Sequence, residues 1–311
     1  MGSQKALSFS LLCGLSVFLA VLLSGCGCIE VGELQVESRS VEPAGAESAD
    51  LEFDMASGNM EISGGTDNLL DAEFRYNVED WRPEMGYEVR EKTGRLTIRQ
   101  PEVQGVAGGN RIRNEWDLRL NQEMPINLSA DLENGNSELS LGSSLLNTLA
   151  LNTNNGNMQA ELTGNQSLLK KVNLMHSNGN VLLTLSGDYP SLSGITIESA
   201  NGNIQSELSG SYSSLDHVRI KLNNGNILAD LTGNWSQNSS IEVLVNTGEI
   251  TLLLPGNTGV YVEAATPVAV EAAGFRQEGD AYVNDAYGES EVTLNISASS
   301  SIGSIKLQLA D

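Results

Sequence analysis

From about residue 128 to 256 the apolar and polar positions follow one repeated pattern. Counted from Gly135, Gly156, Gly179, Gly202, Gly225 and Gly248, apolar or small residues recur at −7, −5, −3, +2, +4 and +6. For Gly156 they are Leu149, Leu151, Thr153, Met158, Ala160 and Leu162; for Gly248 they are Ile241, Val243, Val245, Ile250, Leu252 and Leu254. A period of two on each side of a glycine predicts two half-buried strands joined at a sharp corner. The glycines are separated by 21, 23, 23, 23 and 23 residues. A fixed period of this size marks a repeat architecture.

Two folds satisfy the alternation. Each Asn-Gly could be a two-residue hairpin turn between antiparallel strands, or each 23-residue unit could be one coil of a β-solenoid with the glycine at a corner. The columns favour the second. Leu149, Val172, Ile195, Val218 and Ile241 stand one period apart, as do Leu162, Leu185, Leu208, Leu231 and Leu254. A second glycine column runs through Gly164, Gly187, Gly210, Gly233 and Gly256, and Leu146, Leu169, Leu192 and Leu215 supply a further apolar one. Residue type held at constant offset is what in-register stacking of coil on coil requires, and a chain of hairpins has no such need. Glycine takes positive φ at the corners without a Cβ clash. The flanking asparagines, including Asn157, Asn180, Asn203 and Asn226, can hydrogen-bond amide to amide at the ~4.8 Å strand spacing, a structural role.

The same template fits Gly58 and Gly303 and, in part, Gly94 with Tyr87, Val89, Leu96 and Ile98. The expected fold is therefore all-β, a single-stranded solenoid of coils of about 23 residues with irregular capping regions at both ends. The expected organisation is a signal over 1–25, an acidic tether or early strand over 26–49, an N-terminal region over 50–126, the Asn-Gly-Asn solenoid over 127–256 and a C-terminal cap over 257–311. In the last regular coil the outward positions become Leu244 and Leu253, which the cap is expected to cover. The less regular stretch from Arg75 to Trp116 holds Trp81, Tyr87 and Trp116 and most of the arginines, and is the candidate binding surface.

The N-terminus changes the picture of location. Lys5, an apolar run from Ala6 to Leu23, and then Leu23-Ser24-Gly25-Cys26 describe a secretory signal. The last four residues resemble the bacterial lipobox. That resemblance implies diacylglycerol on Cys26, the mature N-terminus, and a partner membrane on whose outer side the chain is anchored. With Cys13 removed and Cys26 alkylated, Cys28 is left without an intrachain partner, so no disulfide framework is expected.

Charge and chemistry narrow the function classes. A net charge of −23 with 17 basic residues argues against nucleic acid as a partner. None of the short zinc, nucleophile or phosphate-loop motifs is present, so neither cofactor nor metal is expected. His176 shares an inward column with Thr153, Ser199, Leu222 and Val245 and reads as an interior histidine; His217 is placed on a solvent-facing return loop. An enzyme acting on polysaccharide would need clustered carboxylates. The best outward acidic column is Glu161, Thr184, Glu207 and Asp230, interrupted by Thr184 and faced, on an adjoining strand, by Arg219 and Lys221 as counter-charges.

The ends carry a family resemblance. Gly58-Asn59-Met60-Glu61-Ile62-Ser63-Gly64-Gly65, Leu96-Thr97-Ile98-Arg99-Gln100 and Asn114-Glu115-Trp116-Asp117-Leu118-Arg119-Leu120 resemble the toast-rack N-terminal domain of bacterial envelope proteins. The Asn-Gly-Asn coils are similar to the putative-adhesin solenoid family. Thr247-Gly248-Glu249-Ile250-Thr251-Leu252-Leu253-Leu254-Pro255, with Gly274-Phe275 and Gly303-Ser304-Ile305, resembles the C-terminal region of cell-wall-active-antibiotic response proteins. The resemblance implies no catalytic residue. The expectation is a non-catalytic, adhesin-like or scaffolding lipoprotein that binds an envelope protein or polysaccharide, or associates with itself through open ends. A carbohydrate-active solenoid enzyme is the alternative.

Overall fold

In the regular middle of the computed structural model each coil lays down one longer strand, turns at a glycine, and lays down a shorter one. The structure describes residues 31–101 and 112–310. The strand pairs are Leu146–Asn155 with Met158–Leu162, Lys171–Asn178 with Val181–Leu185, Gly194–Asn201 with Ile204–Leu208, His217–Asn224 with Ile227–Asp230, and Ser239–Thr247 with Ile250–Leu254. The longer strands line up in parallel in one sheet and the shorter ones in another. Leu149 pairs with Val172, Val172 with Ile195, Ile195 with Val218 and Val218 with Ile241. Partners are thus one repeat apart rather than across the turn, which is the solenoid and not the hairpin chain. His217 begins one of these strands, exposed, instead of lying on a loop.

The alternation buries one side of every strand. Leu149, Val172, Ile195, Val218 and Ile241 are all at most 1% exposed, and Leu169, Leu192 and Leu215 are fully buried between the sheets. A third, short parallel sheet of Asp188–Tyr189, Ser211–Tyr212 and Asn234–Trp235 closes the coil. Its inward residues make a column that the pattern above did not reveal. The rings of Tyr189 and Tyr212 stack at 5.4 Å and those of Tyr212 and Trp235 lie 5.1 Å apart. Each polar tip is satisfied by a carbonyl: Tyr189 Oη donates to Leu162 O at 2.6 Å, Tyr212 Oη to Leu185 O at 3.0 Å, and Trp235 Nε1 to Leu231 O at 3.0 Å. One coil earlier Gln166 takes this place, fully buried, and bonds Ser144.

The Gly58 and Gly303 coils belong to the same stack. Leu51 pairs with Leu128 and Ile62 with Leu139; Ile241 pairs with Ile296 and Ile250 with Ile305. At both ends, however, spatial order departs from chain order. Outside the Gly58 coil, Ser48–Ser57 and Asn59–Thr66, lies a later one, Thr93–Arg99 and Asn114–Asn121. At the far end Gly259–Ala265 and Val270–Ala272 form the last parallel level, and the later Thr293–Ile302 and Ile305–Leu309 fill the level beneath them. Antiparallel strands then replace parallel coils. Gln35–Val41 pairs with Leu70–Tyr76, Glu84–Arg90 with Thr93–Arg99, and Arg276–Glu278 with Ala281–Val283. Short or charged antiparallel edges blunt the open ends of a stack against further pairing. Of the two readings of the acidic segment, the early strand holds from Gln35 to Val41, at the edge of its sheet.

Two expectations fail here. Gly94 is not a corner: it sits inside Thr93–Arg99, and the turn is a two-residue hairpin at Glu91 and Lys92, both with positive φ. The C-terminal residues continue the stack end-on and do not cover Leu244 and Leu253. Both stay half-buried, flanked within their sheets by Lys221 and Ser299 and by Asp230 and Gln308.

Candidate functional site

The corner is the most regular feature of the surface. Gly179 has φ 135°, and a Cβ there would lie 1.7 Å from the Gly156 carbonyl oxygen, so the coils can approach only glycine on glycine. Beside it run two asparagine ladders. Asn155, Asn178, Asn201 and Asn224 each donate Nδ2–H to the Oδ1 of the asparagine one coil earlier, at 2.9 to 3.0 Å. In the second ladder the backbone N–H groups of Asn157, Asn180, Asn203 and Asn226 donate to the side-chain oxygen below, at 2.9 to 3.2 Å. Thr247 and Glu249 end the two ladders, although Glu249 N–H still donates to Asn226 Oδ1 at 3.0 Å. The asparagines hold coil to coil.

The aromatic residues proposed as a binding surface are placed otherwise. Trp116 is 1% exposed, its edge against Phe74 at 5.6 Å and its Nε1–H donated to Asn114 Oδ1 at 3.2 Å. The alternation Trp116, Leu118, Leu120 that marks a strand also turns this ring inward. Trp81, on the short helix Glu79–Trp81, is 5% exposed. Tyr87 is half-buried and donates its hydroxyl to Pro43 O at 2.7 Å. These rings are core and joint residues. Trp81 lines a cleft of about 330 Å³ beside Asn59, Arg113 and Glu115, and Trp116 borders a second of about 280 Å³ beside Glu61, Arg75 and Glu138.

What the first end does present is charge. Glu37 on the edge strand accepts from Arg82 Nε and Nη2 at 3.1 and 3.0 Å and from Arg39 Nε at 2.8 Å. These bonds, Arg82's first, hold its carboxyl down at about 2. Asp71 accepts from Ser40 at 2.6 Å and Asn68 at 2.9 Å, and from Thr66; these bonds lower its pKa. Asp71 lines a hollow of about 650 Å³ on the outer side of the terminal strands, with Ser38, Glu73, Asp117 and Arg119. Adjacent strands bring Glu73, Asp117, Glu61 and Glu138 into one row. Sequence reading missed this row because its members come from strands far apart in the chain. Such a hollow can take hydrogen-bonding and charged groups of a partner.

The acidic column stands in register as expected, Glu161 beside Thr184, Glu207 and Asp230. Its counter-charges do not. Arg219 and Lys221 lie in the other sheet, where Arg219 bridges Glu198 and Glu242. Glu207 instead accepts from Gln205 Nε2 at 2.7 Å, and Asp230 from the N–H and hydroxyl of Thr232 at 2.9 and 2.6 Å. His176 is interior, with Nδ1 3.0 Å from Ser199 Oγ and Nε2 2.9 Å from Gly156 O. Among the described residues no group of three or more His, Cys, Asp or Glu side chains is arranged to hold a metal, and no helix is long and apolar enough to cross a membrane. Cys26 lies outside the described residues.

Residues 30–181 match the family model described as the N-terminal domain of toast_rack. The toast-rack resemblance is borne out over that stretch, which runs through the Gly58 coil and into the Asn-Gly-Asn coils. Among solved structures, a putative cell adhesion protein from Clostridium sporogenes is similar at 26% identity, over 89% of this chain and 100% of its own, with a TM-score of 0.36. A putative adhesin from Bacteroides fragilis is 11% identical over 90% of this chain and 99% of its own, TM-score 0.36. A putative lipid binding protein from Parabacteroides distasonis is 13% identical over 92% of this chain and 100% of its own, TM-score 0.36. No curated protein matches the chain.

Proposed function

We propose that this chain, with a toast_rack N-terminal domain match over residues 30–181, is a non-catalytic, adhesin-like module of the bacterial cell envelope. In this reading diacylglycerol on Cys26 anchors it to the outer side of a membrane. Residues 127–256 act as a spacer, 257–311 close its far end, and the region 50–126, with the edge strand Gln35–Val41, presents the charged hollow to an envelope or extracellular partner, a protein or a polysaccharide.

One observation carries the non-catalytic part. Glu207 and Asp230, the carboxylates that the repeat sets side by side, are each engaged by a residue of their own chain segment, Gln205 and Thr232, on the outer face of a sheet. A hydrolase or lyase needs its carboxylates facing a substrate across a cleft. The fold itself decides nothing about chemistry, so the argument rests on these side chains.

Metabolic labelling with a fatty acid tests the anchor. Label on the wild-type chain and none on Cys26→Ala is expected, and an unlabelled wild type ends the lipoprotein reading. Cosedimentation of the lipid-free chain with envelope fractions tests the partner. Binding that falls when Arg119→Ala and Asp117→Ala alter the hollow supports the surface named here; binding unchanged in both moves it elsewhere. Release of reducing sugar from an envelope polysaccharide would revive the enzyme.

A further inference from the structure

Asparagine followed by glycine is the dipeptide most prone to lose its side-chain amide, because glycine leaves its own backbone nitrogen unhindered. The chain carries this dipeptide at five stacked corners, Asn134-Gly135, Asn155-Gly156, Asn178-Gly179, Asn201-Gly202 and Asn224-Gly225, and all five asparagines are exposed. The reaction needs the glycine nitrogen to reach Cγ of the preceding asparagine. Both groups are occupied here.

The attacking nitrogens are tied down first. Gly135 N–H donates to Asn155 O at 2.7 Å, Gly156 to Asn178 O at 2.9 Å, Gly179 to Asn201 O at 3.0 Å, Gly202 to Asn224 O at 3.0 Å and Gly225 to Thr247 O at 2.9 Å. The electrophiles are held by the ladder. Asn134, Asn155, Asn178 and Asn201 each have Oδ1 bonded by the Nδ2 of the next asparagine. Asn224 differs. It donates to Asn201 Oδ1 at 3.0 Å, but Thr247 stands where the next asparagine would be, and the ladder stops.

We infer that Asn224 is the chain's intrinsic deamidation site, and that the ladder protects the four asparagines below it. In the reaction the Gly225 nitrogen attacks Asn224 Cγ, a C–N bond forms, and Nδ2 departs as ammonia carrying the displaced proton. The five-membered succinimide is then opened by water at either carbonyl, giving aspartate or isoaspartate. No oxidant or reductant takes part, and the corner gains one negative charge. Isoaspartate also adds a backbone methylene at a position where coil pairs with coil. Conversion at Asn224 removes the Nδ2–H bond to Asn201, so the end of the ladder moves down one coil and Asn201 becomes the next exposed member.

The test needs only the full chain, incubated in mildly alkaline buffer with and without urea, and peptide mapping by mass over time. In urea all five sites are expected to convert at similar rates, since all share the Asn-Gly sequence. In the folded chain Asn155, Asn178 and Asn201 are expected to convert at least about tenfold more slowly than in urea, with Asn224 the fastest site, because reaction there needs less local opening. Thr247→Asn extends the ladder and is expected to slow Asn224. Internal sites reacting as fast folded as unfolded, or Asn224 reacting no faster than Asn178 in the native wild type, would overturn the inference without recourse to any variant.

Discussion

Nδ1 of His176 lies 3.0 Å from the hydroxyl of Ser199, the residue in the same column one coil further along. Its Nε2 faces the Gly156 carbonyl, which can only accept, so the neutral ring carries its proton on Nε2 and Nδ1 accepts from the serine. Burial lowers the pKa of this imidazole, outweighing the carbonyl bond. The sign follows from proton counts. Below about 6.5 the unfolded histidine binds a proton that the folded one resists, so stability is complete above that pH and is lost as pH falls through the folded value. His176→Leu, by analogy with Leu222 in the same column, is expected to cost about 1–3 kcal/mol at neutral pH by stranding the Gly156 carbonyl. It should also flatten the acid limb between pH 6.5 and the folded value. Urea titrations across pH, with both chains showing the same acid limb, would exclude this role.

Gly179→Ala and Gly194→Ala separate two kinds of glycine. At Gly179 an added methyl meets the Gly156 carbonyl oxygen at 1.7 Å under positive φ, whereas at Gly194 nothing lies within 4 Å. The first substitution is expected to cost more than about 3 kcal/mol or to abolish folding, and the second to change stability by less than about 1 kcal/mol. Thermal melts of the two variants measure the contrast. Similar Tm values for both would mean the coils can separate at the corner at little cost.

The reach of the sequence is visible in which of these features it contained. Alternation is local and survives stacking, so Leu149 through Ile241 could be aligned without coordinates. The corner glycines and asparagines were legible for the same reason, as was the interior setting of His176. Gly94 looks like a corner because its flanks alternate as well in a hairpin as in a coil, and only the turn at Glu91 and Lys92 distinguishes them. The exchange of levels at both ends was hidden, since Leu51 pairs with Leu128 and with Leu96 through contacts no period encodes. Trp81 and Trp116 were read as surface because aromatics in an irregular stretch suggest binding, yet an end cap needs large side chains to fill a level that lacks a regular neighbour. Glu37 and Arg82, 45 residues apart, carried no local signal at all. The aromatic column stands in the sequence ten residues after Gly179, Gly202 and Gly225, outside the strand positions that alternation picks out.

Ser206 offers a gain of stability. Its Oγ is the one buried side-chain oxygen or nitrogen without a hydrogen-bond partner among the described residues, and the residue is fully buried. Leu183 and Ala229 are its neighbours in the column, so the site tolerates a methyl. Ser206→Ala removes an unpaired hydroxyl and is expected to stabilise the chain by about 1 kcal/mol. A denaturant midpoint at or below that of the wild type would mean the hydroxyl is satisfied in solution.

The stacked tyrosines predict an alkaline limit. Burial pushes the Tyr189 phenol up to about 12, and burial, then its neighbour Tyr189, raises that of Tyr212 well above the ordinary phenol range. Each hydroxyl also donates to a carbonyl, a bond the phenolate could not make. Between pH 10 and 12 the unfolded chain gives up these protons while the folded chain keeps them. Stability is therefore whole below the unfolded pKa of about 10 and falls as pH rises through the folded values. Tyr212→Phe should shrink this alkaline loss, because one of the two coupled protons is gone. Near neutral pH it should cost about 1 kcal/mol, from the Leu185 carbonyl left without the phenol's donation. Tyrosinate absorbance and circular dichroism followed together through the alkaline range decide the matter. Ionisation of every tyrosine before any loss of β signal would show that the column opens to solvent without unfolding, and would rule out an alkaline limit set by its burial.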